Sequence, residues 1–157
     1  MQAAVLFVCL GNICRSPTAY GVLLQKLAGR GLADSLQVDS AGTGVWHVGE
    51  PPDRRAQRHA ALRGYDRSGL RARQVTAADF HRFTHVLAMD RDNLAALEAM
   101  CPADFSGELG LFLSYGSRGL LELPDPYYGG PQGFEDVLDL VEDAADGLLA
   151  RIGGHPG

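Results

Sequence analysis

Three residues near the start of the chain could act together on a phosphate group: Cys9, Arg15 and Ser16. The apolar run before Cys9 predicts a buried strand, and the pattern after Ser16 predicts a helix. The loop between them would direct its backbone N–H groups and the positive end of the helix dipole at one anion. The same positive field would favour a thiolate at Cys9. The loop therefore predicts a phosphate site with a cysteine nucleophile.

The loop at residues 9–16 contains the residue types that a tight phosphate cradle needs. Gly11 and Asn12 tolerate a positive φ, which we expect in such a loop. The planar guanidinium of Arg15 can bind two phosphoryl oxygens, and Ser16 can donate its hydroxyl hydrogen to the sulfur. This loop lacks the Gly-Lys-Ser or Gly-Lys-Thr of a nucleotide P-loop. The predicted phosphate-binding residues are Leu10, Gly11, Asn12, Ile13, Cys14, Arg15 and Ser16.

Strands and helices alternate along the chain and must position this loop. Apolar runs predict strands at residues 3–8, 36–39, 84–89 and 109–113. Periodic patterns predict long helices after Ser16 and at residues 53–63, 90–100 and 134–152, with a short helix opened by Thr76. Ser16 as N-cap and Pro17 as first helical residue would begin the first helix. This alternation predicts a doubly wound α/β fold with its ligand site at the carboxyl ends of the strands.

Length and composition limit the classes of protein. A chain of 157 residues, 46% of them hydrophobic, is expected to form one domain over residues 1–157. The net charge of −5 argues against a nucleic-acid partner. Residues 54–73 hold seven arginines, whereas residues 122–146 hold eight acids and no base. This asymmetry either steers an anionic substrate or reflects two solvated faces.

The cysteines and the apolar start of the chain indicate a compartment. Three cysteines, an odd number, do not form a typical disulfide framework, so we expect a reducing, cytoplasmic environment. The apolar run at residues 3–10 is too short to span a membrane and lacks the features of a signal peptide. No membrane partner is expected.

The segment VCLGNICRSP at residues 8–17 resembles the signature of the low-molecular-weight protein tyrosine phosphatases, and DPYYGG at residues 125–130 resembles their second motif. Residues 38–43, residues 87–90 and the final acidic helix extend the resemblance over nearly the whole chain. It implies a four-stranded parallel sheet with helices on both faces. It also implies a phosphocysteine intermediate, no metal or other cofactor, and phosphotyrosine proteins or peptides as substrates. A monomer or weak dimer is expected.

The resemblance assigns Asp125 as the general acid, a role the chemistry also needs because a leaving phenolate must be protonated. Asp125 lies between Pro124 and Pro126, which would stiffen its loop, while Gly129 and Gly130 could act as hinges. Without the cysteine loop, Asp125 would be interpreted as an ordinary turn residue.

The resemblance also implies supporting roles. Asn12 and Ser40 would hold the cradle by hydrogen bonds, although Ser40 is equally typical of a turn. Cys14 would form a reversible disulfide with Cys9 under oxidation, or else be an inert thiol. Many members carry histidine where this chain has Leu70, so a supporting hydrogen bond is expected to be missing. The predicted wall for a phenyl ring, with core packing as the alternative, consists of Ile13, Trp46, Tyr127 and Tyr128.

Other functions fit parts of this pattern. A protein-arginine phosphatase tends to carry threonine at the position of Ile13, whose apolar side chain favours a phenyl ring. An arsenate reductase needs a relay of thiols, and only Cys101 lies outside the loop. A phosphocysteine carrier would have no use for Asp125 as an acid, and a silent phosphotyrosine-binding module would not turn over substrate.

Overall fold

The structure is a computed structural model that describes residues 3–32, 35–65, 69–126 and 130–153. Its four parallel strands are β1 (Ala4–Cys9), β2 (Gln37–Gly42), β3 (His85–Ala88) and β4 (Glu108–Leu111), in the order β2-β1-β3-β4. The helices are α1 (Arg15–Gly29), α2 (Arg54–Leu62), α3 (Asp79–Arg82), α4 (Arg91–Met100) and α5 (Pro131–Gly153). The chain passes from β2 to β3 across β1, so the topological switch point lies at the carboxyl end of β1.

Both faces of the sheet are covered, because alternate side chains of β1 enter two different cores. Val5, Phe7 and Cys9 lie in a core that includes the buried faces of α1 and α5. Leu6 and Val8 lie in the other core, which includes Phe80, Phe83 and Leu97 from the α3 and α4 side. The predicted doubly wound α/β fold with a four-stranded parallel sheet is confirmed.

The predicted start of the first helix is wrong. Helix α1 begins at Arg15, and Cys14 occupies the N-cap position without a side-chain cap. Pro17 therefore lies inside the first turn and not at the first helical position. The hydroxyl of Ser16 lies 3.0 Å from the Cys9 sulfur, so Ser16 contributes to the loop and not to a helix cap.

Other predicted boundaries also differ from the structure: β2 extends to Gly42, beyond the predicted end at residue 39, and α5 begins at Pro131, before the predicted start at residue 134. The strand predicted at residues 109–113 ends at Leu111, and Phe112–Tyr115 form a 3-10 helix. The short helix expected to open at Thr76 begins at Asp79. Its local order comes from the Asp79 carboxylate, which accepts a hydrogen bond of 2.8 Å from the Thr76 N–H.

Among the helices in the described part of the chain, none is both long and apolar enough to span a membrane.

Candidate active site

A pocket of about 340 Å³ is lined by the end of β1 and the loop that follows it. The cysteine, the arginine and the aspartate singled out by the sequence all contribute to its wall. The switch-point location predicted for the ligand site is where this pocket lies. The residues that line it are Cys9, Leu10, Gly11, Ile13, Cys14, Arg15, Trp46, His47 and Asp125.

Cys9 is enclosed within the wall of the pocket, since only 3% of the residue is exposed. The backbone N–H of Asn12 donates to Sγ at 3.2 Å, and the Ser16 hydroxyl lies 3.0 Å from Sγ. Helix α1 starts six residues after Cys9, and its first N–H groups precede the helical hydrogen-bond ladder. Donors of this kind stabilise a thiolate over a thiol.

Asn12 holds the loop in its unusual shape. Its φ of 59° is in the left-handed region, as the sequence predicted for this residue. Its side-chain NH₂ donates to Ser16 Oγ at 2.8 Å and to Ser40 Oγ at 3.1 Å. Its Oδ1 accepts a hydrogen bond of 2.9 Å from the backbone N–H of Arg73. The side chain of Asn12 thereby joins three separate parts of the chain.

The hydrogen bond that Ser16 Oγ accepts from Asn12 limits the directions in which its own hydroxyl hydrogen can point. Because Asn12 donates to Ser16 Oγ, the single hydroxyl hydrogen remains available for an acceptor. The Cys9 sulfur lies at 3.0 Å and the carbonyl of Ala41 at 3.3 Å. A thiolate at Cys9, as the sequence predicts, can only accept, so it would take this hydrogen from Ser16.

The prediction of a positive φ is wrong for Gly11, because its φ is not in the left-handed region. Gly11 is needed for space: a Cβ there would lie 3.0 Å from Cδ2 of His47. A second glycine, Gly42 at the end of β2, fits even more closely, since a Cβ there would lie 2.7 Å from the carbonyl oxygen of Leu10. Sequence reasoning missed both Gly42 and His47, because close backbone approach leaves no local motif.

Contacts with other parts of the protein hold the guanidinium of Arg15 in place. Nη1 donates to Asp90 Oδ2 at 2.7 Å and to the Leu123 carbonyl at 2.9 Å, and Nη2 lies 3.7 Å from Asp125 Oδ2. Burial alone would lower the pKa of Arg15, but the charge of Cys9, the hydrogen bond to Asp90 and the charge of Asp125 raise it above its ordinary value. Arg15 is therefore a fixed positive charge in the pocket wall.

Asp90 was missed as a site residue. It caps α4 through Oδ1, which accepts a hydrogen bond of 2.8 Å from the Asn93 N–H, and it holds Arg15 through Oδ2. The sequence contained a signal for it, because Asp90 directly follows a predicted strand and must lie at the carboxyl edge of the sheet.

The first turn of α2 supports the loop from the other side. The backbone N–H of Asp53 donates to the Ile13 carbonyl at 2.8 Å. The Asp53 side chain accepts from the N–H groups of Arg55 and Ala56, so it also caps α2. Ala56 then packs with Ile13, Cys14 and other apolar side chains in a small separate core. The loop is thus bound to a helix that is distant in sequence.

Asp125, the predicted acid, and Trp46, from the predicted aromatic wall, are more exposed than the loop that follows β1. The side chain of Asp125 is 35% exposed, and Trp46 as a whole residue is 70% exposed. The Trp46 ring rests on Gly44, where a Cβ would come within 2.1 Å of ring atom Cζ3. Tyr127 and Tyr128 lie outside the described residues, so their place in the wall stays a prediction. Residues 3–32, 35–65, 69–126 and 130–153 contain no cluster of three His, Cys, Asp or Glu that could hold a metal ion.

Known proteins share this sequence and fold. The family model described as low molecular weight phosphotyrosine protein phosphatase matches residues 4–155. A putative low molecular weight protein-tyrosine-phosphatase of Synechocystis sp. is 46% identical over 151 residues, which cover 95% of this chain and 96% of that protein.

Solved structures agree with the sequence comparison. The crystal structure of a protein tyrosine phosphatase from Entamoeba histolytica has a TM-score of 0.92 and 37% identity, covering 97% of both chains. The crystal structure of a Drosophila arginine phosphatase has a TM-score of 0.87 and 34% identity, covering 94% of this chain and 96% of that one. This chain belongs to the low molecular weight phosphotyrosine protein phosphatase family.

Proposed function

We propose that this chain hydrolyses phosphotyrosine in proteins or peptides, with Cys9 as nucleophile, Arg15 as phosphate ligand and Asp125 as general acid and base. The observation that carries the proposal is that these three side chains line one pocket. Family membership supports the reaction class.

In the first step, the Cys9 thiolate attacks phosphorus, the S–P bond forms and the bond from phosphorus to the phenolic oxygen breaks. Protonated Asp125 donates its proton to the departing phenolate oxygen. The loop N–H groups and Arg15 stabilise the equatorial oxygens in the transition state. A phosphate in the pocket would exchange for Asp125 at Nη2 of Arg15, while Nη1 keeps its contacts with Asp90 and Leu123.

In the second step, water attacks the phosphocysteine and gives its proton to the Asp125 carboxylate. The S–P bond breaks, inorganic phosphate leaves and the thiolate returns. The hydrogen bonds from Ser16 and the Asn12 N–H favour the departure of sulfur as a thiolate, because they stabilise its charge. Each turnover returns the enzyme and Asp125 to their starting forms, with water as the only co-reactant.

Ile13 and Trp46 support a phenyl ring as the group attached to phosphate. Both line the pocket, and Ile13 presents an apolar side chain beside the cradle. The likeness to the Drosophila arginine phosphatase favours a second candidate substrate, phosphoarginine. Asp125 and His47 in the same wall could contact its guanidinium, but Ile13 and Trp46 offer the apolar surface that suits a phenyl ring better. We therefore place phosphotyrosine first.

The arsenate reductase alternative is disfavoured by the location of Cys101. This residue follows Met100 at the end of α4, whose ten residues make the helix about 15 Å long. Since α4 begins at the carboxyl edge of the sheet, Cys101 lies toward the opposite edge and cannot relay electrons to Cys9 without a large rearrangement. Its thiol donates at 3.6 Å to the adjacent Pro102 carbonyl.

The proposal is tested by comparing hydrolysis of a phosphotyrosine peptide, the matching phosphoarginine peptide and p-nitrophenyl phosphate. We expect turnover of the phosphotyrosine peptide and p-nitrophenyl phosphate, inhibition by vanadate and resistance to EDTA. Cys9→Ser should abolish turnover but retain vanadate binding, whereas the control Cys101→Ser should keep full activity. Turnover by Cys9→Ser would refute the covalent mechanism, and a preference for phosphoarginine would transfer the function to the second candidate. Binding without turnover would indicate a carrier or binding module.

Cys14 is proposed as a redox partner of Cys9, since both residues are buried and line the same pocket. A reversible disulfide would protect the nucleophile, and such chemistry fits the reducing cytoplasm proposed as the compartment. Peroxide should inactivate the enzyme, dithiothreitol should restore it, and Cys14→Ser should remove the recovery. Peptide mapping that finds only sulfonic acid at Cys9 of the wild type would contradict this role.

A further inference from the structure

We infer that Arg73 is a positioning residue for the nucleophile: its side chain fixes the backbone N–H that holds Asn12, and Asn12 in turn shapes the surroundings of Cys9. The inference rests on the proposed function for its consequence in turnover. Arg73 itself does not line the pocket. It acts through a backbone group, which explains why no pattern of residue types indicated it.

The guanidinium of Arg73 is held by two carboxylates. Nη1 and Nη2 donate to Asp79 Oδ2 and Oδ1, each at 3.0 Å. Nη2 also donates to Asp39 Oδ2 at 3.1 Å, and Nε donates to the same oxygen at 3.3 Å. This is a fork-to-fork arrangement, which lysine cannot reproduce. The side chain is therefore held in one orientation and not merely attracted to an acidic surface.

The two carboxylates belong to elements that are themselves fixed. Asp39 lies in β2, and its Oδ1 accepts a hydrogen bond of 2.8 Å from the N–H of Ser40. Asp79 is the first residue of α3 and is only 2% exposed. Burial alone would raise the pKa of Asp79, but hydrogen bonds from Arg73 and from the Thr76 N–H lower it below its ordinary value. Asp79 thus remains an anion that holds Arg73.

The backbone of Arg73 connects this ion-pair cluster to the cradle. Its carbonyl accepts a hydrogen bond of 2.8 Å from the Gly42 N–H, and its N–H donates to Asn12 Oδ1 at 2.9 Å. Asp39 and Ser40 are neighbours on β2, so the side chain of Arg73 and the side chain of Asn12 are fixed to adjacent residues of one strand. A shift of the Arg73 backbone would therefore move the N–H that binds Asn12 Oδ1 relative to Ser40, which accepts from the Asn12 NH₂ group.

The consequence reaches the sulfur through two hydrogen bonds. Asn12 is 2% exposed, so loss of the Arg73 N–H would leave a buried carbonyl oxygen without that donor. The φ of 59° at Asn12 lies in the left-handed region, which asparagine tolerates, and the hydrogen bonds of its side chain help to hold it there. If it relaxes, both the Asn12 N–H and the Ser16 hydroxyl shift relative to Cys9 Sγ. Misplacement of about 1 Å in a catalytic constellation costs about a hundred-fold in rate.

A double-mutant cycle between Arg73 and Asn12 tests the inference. The four proteins are wild type, Arg73→Met, Asn12→Ala and the double variant, each assayed for kcat/KM, vanadate affinity and Tm. We expect Arg73→Met to lower kcat/KM about ten-fold when Asn12 is present and less than about two-fold when Asn12 is alanine, because its effect passes through that side chain. The decrease in Tm should instead be similar in both backgrounds, because the ion pairs lie outside the cradle.

Removing Arg73 leaves Asp79 as a buried, uncompensated charge, which could unfold the protein. The combined variant Arg73→Met with Asp79→Asn removes both charges and should fold while showing the same loss of kcat/KM. A matched control is Arg63→Met, since Arg63 also binds several carboxylates, Glu135, Asp139 and Glu142, but joins α2 to α5. It should lower Tm without changing kcat/KM.

The outcomes separate the inference from the proposed function. Equal losses of kcat/KM in both Asn12 backgrounds, or a loss of Tm alone, would overturn the positioning role of Arg73. Wild-type protein without phosphatase turnover would instead refute the proposed function. In that event the same double-mutant cycle, measured on vanadate affinity, still tests the role of Arg73. Vanadate affinity depends on the shape of the cradle and needs no catalytic step.

Discussion

The two sides of the pocket differ in how firmly they are held. On the cradle side, Cys9, Asn12 and Ser16 are 3%, 2% and 0% exposed, and each has hydrogen bonds to other parts of the loop or sheet. On the acid side, Asp125 is 35% exposed, and its ion pair with Arg15 spans 3.7 Å. The proposed nucleophile is therefore held tightly, whereas the proposed acid remains accessible.

The difference fits the two tasks in the proposed reaction. A thiolate and the oxygens of a transition state need donors that are already oriented, because reorganisation during the reaction raises the barrier. A group that first gives and then takes a proton needs contact with both the leaving group and water. Leu123 fixes the start of the acid loop, since its N–H donates to the Met89 carbonyl and its carbonyl accepts from Arg15.

Removing the acid should separate the two sides most sharply. Asp125→Ala should lower kcat on a phosphotyrosine peptide by about a hundred- to a thousand-fold, because the phenolate leaves without a proton. Vanadate affinity should change little, since the cradle is intact. The control Asp104→Ala removes another exposed carboxylate and should have no effect.

The dependence on leaving group provides the decisive measurement for Asp125. A series of aryl phosphates should show a far steeper dependence of kcat on leaving-group acidity in Asp125→Ala than in the wild type, as acidic phenols leave without help. A loss of equal size across the series would contradict the role of general acid and indicate that Asp125 supports the pocket shape.

Asp90 lies where the two sides meet, because Arg15 contacts both Asp90 and Asp125. Asp90→Asn removes the charge that holds Arg15 but keeps an oxygen that can cap α4. We expect kcat/KM to fall about ten-fold, since a hydrogen bond between charged groups contributes about 1.5 to 3 kcal/mol. The values of kcat/KM and of vanadate affinity should decrease by similar factors.

The matched control for Asp90→Asn is Asp53→Asn, because Asp53 also caps a helix beside the loop and does so without contacting Arg15. Asparagine is as good an N-cap as aspartate, so the control should keep its activity. Equal losses in both variants would mean that helix capping, and not the position of Arg15, explains the effect.

These contacts show which parts of the site sequence reasoning can reach. The cradle was predictable, because Cys9, Asn12 and Arg15 are close in sequence and the strand and helix around them have clear patterns. Asp90 lies at the end of a predicted strand, so the same rule for the carboxyl edge would have found it. The parallel sheet likewise follows from the alternation of apolar runs and helices.

Other contacts of the site cannot be predicted from the type of residue that makes them. Arg73 contributes a backbone N–H, and Gly42 contributes only the absence of a side chain, so neither belongs to a recognisable motif. Ser16 was misinterpreted as a helix cap because serine before proline is typical of helix starts. In the structure the hydroxyl lies 3.0 Å from the Cys9 sulfur, a contact that the chemistry of the loop predicted and helix propensity did not.

The smallest expected effect concerns the open wall formed by Trp46. Trp46 is 70% exposed and its ring rests on Gly44, so the ring can cover a substrate ring without contributing to the cradle. Trp46→Ala should raise KM for a phosphotyrosine peptide about three- to ten-fold, which corresponds to one aromatic contact, and leave kcat nearly unchanged. The inhibition constant of inorganic phosphate should stay the same, because phosphate has no ring to stack.

The control for Trp46→Ala is Leu62→Ala, which removes an exposed apolar side chain on α2 and should change neither constant. If Trp46→Ala raised the KM and the phosphate inhibition constant equally, Trp46 would support the cradle, and the pocket would not have one fixed and one open side.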